Sequence, residues 1–184
     1  TCYNAVDRHV EHGRGAQAAL IWHSCATKER RIVTYQELQN RVAGFAGGLC
    51  TLGVKKGDRV LIAMPTMIET AIAMLACARI GAVHVVVFAG YAGPELARRI
   101  DDVAPKAMII ASCSFQGQTA IPPTPPLNAA LAQATHRPQA CIIVQRDACP
   151  APLVPVRDHD FHALECSPPV APLMLRSQDP LYIL

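Results

Sequence analysis

The stretch AVHVVVFAGYAGPELARRIDD, from Ala82 to Asp102, reads as a buried strand, a loop with two glycines and an amphipathic helix. Six of the seven residues from Ala82 to Phe88 are apolar, which marks a strand with little exposure. Gly90 and Gly93 then break the run, and Leu96, Ile100 and Val103 recur at helical spacing while Arg98, Arg99 and Asp102 fall on the other side. Pro94 suits the first helical turn, where a missing N–H costs nothing. The free N–H groups of such a turn attract anions, so this strand–loop–helix joint is the first place to look for a ligand.

The same alternation extends in both directions. Before it, Arg59–Met64 reads as a central parallel strand stopped by Pro65, and Ile68–Ile80 as a helix apolar on nearly every face. Upstream lies a long helix with a stripe of Leu38, Val42, Phe45, Leu49 and Leu52, opened by a Thr34/Glu37 capping box and closed by Gly53. Gly44, Gly47 and Gly48 within it lower helix propensity by roughly 1 kcal/mol each against alanine, so they point to close packing. Ala18–His23 and Arg31–Val33 read as short strands, and Thr1–Glu11 as one amphipathic helix carrying Tyr3, Val6 and Val10.

Downstream, Lys106–Ala111 and Ala140–Val144 read as strands, with a weak helix over Leu127–Thr135. Gln116–Pro126 reads as a loop, because four of the six residues from Ile121 are proline. Prolines recur from Ala148 to Pro172, with a short helix near Phe161–Leu164, and Leu181–Leu184 reads as the start of a strand. The whole predicts an α/β fold, a doubly wound and mainly parallel sheet with helices on both faces.

Composition narrows the classes. With 51% hydrophobic and 17% charged residues, the 184-residue chain has material for a substantial core. A net charge of +3 without a basic run gives no nucleic-acid signature. The apolar stretches are broken by Pro65, Arg79 and Gly81, short of the roughly 20 residues a bilayer span needs. Eight cysteines contain no C-x-x-C pair, so neither zinc nor a disulfide framework is indicated; Cys77 reads as a small buried thiol and the compartment as reducing. No signal peptide opens the chain, whose first residue is not methionine.

Individual chemical motifs are weak. His159 and His162, flanked by Asp158 and Asp160, read as a polar surface turn rather than a metal site, having no placed third ligand. His84 reads as a hydrogen-bonded core histidine. Ser112, Cys113 and Ser114 follow a strand end but have no partnering base, and no catalytic residue is assigned. The Phe88–Ala89–Gly90–Tyr91 turn is the strongest candidate, although it has neither the G-x-G-x-x-G order nor the G-K-[ST] of phosphate loops.

Several segments together resemble the short-chain acyl-CoA synthetases, the acetyl-CoA and propionyl-CoA synthetases of the adenylate-forming superfamily. They are TCYNAVDRHVEHGRG, TYQEL, GVKKGDRV, MLACARIGAVHVVVFAGY, ELARRIDDVAPK and the closing DPLYIL, in order over nearly the whole chain. The resemblance implies a reaction in which a carboxylate, acetate or propionate, attacks ATP to give an acyl-adenylate, and CoA then displaces AMP. It implies ATP, Mg2+ and CoA as cofactors of the complete enzyme, and a cytoplasmic or mitochondrial-matrix location. A Ser/Thr/Gly-rich phosphate loop and a catalytic lysine are expected beyond a segment like DPLYIL, so the chain is expected to be part of the large N-terminal domain and inactive by itself. Its expected divisions are residues 1–53, an α/β core at 54–147 and a proline-rich connection at 148–184.

Two implied features fall inside the chain, both facing CoA. The F-G-G-F turn of the family matches Phe88, Ala89, Gly90 and Tyr91, and an E-P-G-R segment matches Gln116, Gly117, Gln118 and Thr119. Both depart from the pattern. Ala89 adds a methyl where glycine lets a ligand approach, and Thr119 removes a cation. Losing one charge-assisted contact weakens binding roughly ten- to a hundredfold, so a non-catalytic binding module on this scaffold is the alternative reading.

Overall fold

The computed structural model describes residues 1–122 and 124–184, and of Thr124 and Pro125 only the backbone. Pro123, within the expected proline loop, lies outside the described residues. The helices are α1 (Cys2–Ala5), α2 (Asp7–His9), α3 (Tyr35–Thr51), α4 (Ile68–Ile80), α5 (Gly93–Val103), α6 (Thr124–Gln133) and α7 (Phe161–Glu165). The strands are β1 (Ala18–His23), β2 (Arg30–Thr34), β3 (Arg59–Ala63), β4 (Val83–Val86), β5 (Ala107–Ala111), β6 (Ser114–Gln116), β7 (Thr119–Ile121), β8 (Ala140–Val144), β9 (Asp158–Asp160) and β10 (Tyr182–Ile183).

Six strands form one parallel sheet in the order β10-β4-β3-β5-β8-β9. Alternate residues of each strand feed opposite faces. Val60, Ile62, Ala107, Ile109 and Ile142 pack with the α3 and α4 side chains, while Leu61, Val85, Met108, Ile110 and Ile143 pack with those of α5 and α6. The sheet is thus doubly wound, as the strand–helix alternation predicted. The first crossover, through α4, lies on one face and the next, through α5, on the other. The chain therefore leaves β3 toward β4 on one side and returns past it to β5, which creates a switch point at the carboxyl ends of these strands.

α3 is capped as expected. The Thr34 hydroxyl accepts from Glu37 N at 3.2 Å and the Glu37 carboxylate accepts from Thr34 N at 2.8 Å. Its glycines let a second chain segment lie directly on the helix. A Cβ on Gly44 would run into the Glu165 carbonyl oxygen, one on Gly47 into the Pro168 carbonyl oxygen, and one on Gly48 would come within 2.7 Å of Leu164 Cβ. Beside this contact Phe161 stacks on Phe45, ring centroids 4.0 Å apart and both side chains fully buried.

Three local expectations are corrected. The amino terminus is two short helices broken at Val6, followed by a turn over Val10–Arg14 that leaves helical geometry at His12 and Gly13, in place of one helix. The break lets consecutive Val6 and Asp7 both point inward, and the Arg79 guanidinium holds Asp7 there. The expected loop at 116–126 is a β6–β7 hairpin followed by α6, which begins at Thr124. Gly117, with φ +61, opens the two-residue turn, and proline early in a helix removes only donors that have no intrahelical partner. The Asp158–His162 segment is not a surface turn but an edge strand leading into α7, with Asp160 Oδ1 accepting from Ala163 N at 2.8 Å.

Candidate functional site

A crevice of about 780 Å³ opens at the switch point, at the carboxyl ends of β3, β4 and β5. One wall is the chain leaving β3, Met64 to Thr66, fixed by Trp22, whose indole N–H donates to the Thr66 carbonyl at 3.0 Å. A second is the Val86–Tyr91 turn, and the third is the β6–β7 hairpin with Phe115, Gln116 and Ile121. Leu96, Ile110 and Leu127 close the floor. Among the described residues no charged one lines it, so it suits the flat or apolar parts of a ligand.

The Val86–Tyr91 turn is an aromatic platform. Val87 N donates to the Ile62 carbonyl at 2.9 Å, extending the sheet pairing one residue past β4, and Tyr91 N closes the turn onto the Phe88 carbonyl at 3.4 Å. The Phe88 ring is 70% exposed and meets Tyr91 edge-on, at 5.7 Å and 79°. It also lies over Gly90, where a Cβ would overlap the ring and push the exposed Phe88 side chain aside. Behind the platform the Arg99 guanidinium sits 5.7 Å from the Tyr91 ring and pairs with Glu95 at 3.1 Å.

Phe88, Ala89, Gly90, Tyr91 and Gln116 are thus brought together around one crevice by elements far apart in sequence. Gly117 and Gln118 form the exposed hairpin tip, and Thr119 is exposed at the start of β7. At the helix end itself, Gly93 is buried against α6, where an added Cβ would come within 2.8 Å of Ala129 Cβ; its role is helix packing. Sequence reasoning missed Met64–Thr66, Phe115 and Ile121. The signal for Phe115 and Ile121 was the hairpin, an S-F-Q-G-Q-T run with glycine opening a two-residue turn.

The remaining candidates lie elsewhere. Ser112 Oγ accepts from Arg146 N at 2.8 Å, and burial raises the pKa of the adjoining Cys113 thiol, so neither is a poised nucleophile. His84 is buried on β4 as expected but is not hydrogen-bonded as expected: its Nδ1 has no partner among the described residues, and burial lowers its pKa. His159 sits on β9 opposite Ile142, while His162 Nδ1 pairs with Glu165 at 2.8 Å. Burial drives the Cys77 thiol up to about 12, consistent with a packing role.

The chain matches the AMP-binding enzyme family over residues 6–184. It belongs to that family. It is 41% identical over 187 residues to the human mitochondrial acyl-CoA synthetase short-chain family member 3, covering 100% of this chain and 27% of that protein. It is 42% identical over 163 residues to the propionate–CoA ligase of Escherichia coli, covering 89% of this chain and 26% of that protein. The resemblance to acetyl- and propionyl-CoA synthetases is thereby borne out. An acetoacetyl-CoA synthetase from Streptomyces lividans has the same fold over 100% of this chain and 27% of its own, with a TM-score of 0.86 at 22% identity. The chain spans about a quarter of the length of these relatives.

The two departures from the short-chain pattern are placed differently in the fold. Ala89 is half-buried in the crevice wall. Thr119 stands outside the lining, on the exposed hairpin.

Proposed function

We propose that this chain provides the CoA-facing wall of an AMP-forming acetyl-CoA or propionyl-CoA synthetase, in which a carboxylate, ATP and CoA give acyl-CoA, AMP and pyrophosphate. The supporting observation is the uncharged crevice at the strand ends, which joins the Phe88–Tyr91 turn to the Gln116 hairpin in a chain of this family. Exposed Phe88 is a platform for the adenine ring, and base-on-aromatic stacking is worth about 1–3 kcal/mol per base. The pantetheine arm, flexible and mostly apolar, suits the floor of Leu96, Ile110 and Leu127.

The adenylation step asks for cations around a triphosphate, whereas the crevice lining carries no charge. ATP and its Mg2+ are therefore not assigned to this crevice, and the chain by itself is expected to catalyse no ATP–pyrophosphate exchange with acetate or propionate. The carboxylate pocket and the catalytic residues are assigned to the remainder of an enzyme of the relatives' length. A cytoplasmic or mitochondrial-matrix location is proposed from the likeness to these relatives. Among the described residues no helix is long and apolar enough to cross a membrane.

Calorimetric titration of the chain with CoA tests the reading. Saturable binding that Phe88→Ala weakens at least fivefold supports it, and binding that ignores this substitution contradicts it.

A further inference from the structure

A second cleft, of about 310 Å³, adjoins the first, and Phe115 lines both. Its other walls include Trp22, Arg31, Glu69, Arg146 and His162. The Arg146 guanidinium lies 4.6 Å from the Phe115 ring centroid, on the residue that divides the two clefts. Its backbone N–H is held by Ser112 Oγ at 2.8 Å and its Nη1 by the Cys113 carbonyl at 3.1 Å, so the side chain is aimed rather than free.

Arg146 differs in charge balance from the other arginines near the two clefts. Arg99 is paired with Glu95 at 3.1 Å, Arg31 with Glu29 at 3.7 Å, and Arg41 with Glu69 and Glu165 at 3.1 and 2.8 Å. Among the described residues no carboxylate lies within 4.0 Å of Arg146. The acids of the second cleft are largely spent: Glu29 and Glu69 face other arginines, and Asp147 is exposed, where solvent and salt screen it. A half-buried guanidinium held in place without a counter-ion, beside an uncharged crevice, has the chemistry of a phosphate contact.

We propose that Arg146 binds a phosphate of the CoA nucleotide, which runs from the uncharged crevice past Phe115 into the second cleft. The assignment rests on the CoA reading above. It makes Arg146 a binding residue that neither its spacing nor the turn at Phe88 indicated. Trp22, the single tryptophan, lines the second cleft and reports on its occupancy.

The test is titration of the chain with CoA and with pantetheine, which carries no phosphate, followed by Trp22 fluorescence and by calorimetry. CoA is expected to change the Trp22 emission. Arg146→Ala is expected to weaken CoA roughly ten- to a hundredfold, leave pantetheine within twofold and flatten the salt dependence of CoA binding. Arg98→Ala, which removes an exposed surface charge, controls for net charge and is expected to change CoA affinity less than twofold. Arg146→Lys keeps the charge without the planar fork and should lie between wild type and alanine. If Arg146→Ala does not fold, the salt dependence of the wild type and the lysine variant decide. CoA affinity unchanged by Arg146 substitution, or indifferent to salt, overturns the assignment while leaving the crevice reading intact. Wild-type protein that binds no CoA overturns both.

Discussion

Arg79 Nη1 and Nη2 each lie 2.8 Å from a carboxylate oxygen of Asp7, in a pair whose side chains are both 5% exposed. Gln39 Nε2 donates to the same carboxylate at 3.0 Å, and Arg79 Nε to the Val170 carbonyl at 2.6 Å. One buried guanidinium therefore ties the amino terminus, α3, α4 and the late proline-rich segment together. Removing one partner of a buried pair strands the other charge, which costs about 3–5 kcal/mol. Asp7→Ala is expected to lower Tm by roughly 6–20 °C in a domain of this size. The double replacement Asp7→Leu with Arg79→Met should recover much of that loss, and a double variant no more stable than Asp7→Ala would count against the pair's isolation from water.

The same pair sets an acid limit. Burial pushes the Asp7 carboxyl up, but the hydrogen bonds from Arg79 and Gln39 outweigh it and hold the group below its ordinary value of 3.8. Its contribution is present above 3.8 and is lost as pH falls through the lower folded value. The Tm gap between wild type and Asp7→Asn should therefore hold steady from neutral pH to about 4 and close only below it.

His162 works in the opposite sense. The hydrogen bond to Glu165 raises its pKa above the ordinary 6.5, against the lowering effect of burial. Its contribution is complete below 6.5 and is lost as pH rises through the higher folded value. His162→Gln should cost stability in mildly acid solution and little in alkaline solution. A gap that widens with pH would show that the pair is not charged as described.

Gly47 separates local propensity from packing. Helix preference alone makes Gly47→Ala stabilising by about 1 kcal/mol, but its Cβ would meet the Pro168 carbonyl oxygen, and backbone cannot step aside cheaply. Overpacking of this kind costs about 1–3 kcal/mol, so thermal unfolding should show a net loss. Gly15→Ala, whose Cβ would find its nearest neighbour at an ordinary 3.6 Å, should be close to neutral. A Tm raised by Gly47→Ala would mean that α3 and the 164–168 segment do not touch as seen.

Ala89 gives a prediction in the gaining direction. If its methyl narrows the CoA wall, Ala89→Gly should tighten CoA binding measured by calorimetry by severalfold without lowering Tm beyond a few degrees. Weaker binding on this substitution would mean that Ala89 shapes the turn rather than crowding the ligand.

Much of the fold was legible because its signals are local or periodic. Mostly apolar runs at Arg59–Met64, Ala82–Phe88, Lys106–Ala111 and Ala140–Val144 became the four central strands, and Thr34 with Glu37 marked the start of α3. The misread segments are those where a distant partner decides. Asp7 faces inward because Arg79, 72 residues away, holds it, and the amino-terminal helix breaks accordingly. The hairpin at Ser114–Ile121 was hidden by the prolines after it, and with it Phe115, which no spacing rule connects to Arg146 across 31 residues. At the crevice, the Phe88–Tyr91 turn was visible through its glycine and aromatics, whereas its opposite walls depend on strand order, which only the sheet reveals.

Amide hydrogen exchange with and without saturating CoA locates the ligand most directly. The account predicts slowed exchange at residues 64–66, 86–91 and 114–121, the three walls of the crevice, and around Arg146 in the adjoining cleft. Protection that spares 86–91, or no protection anywhere at saturating CoA, would contradict it.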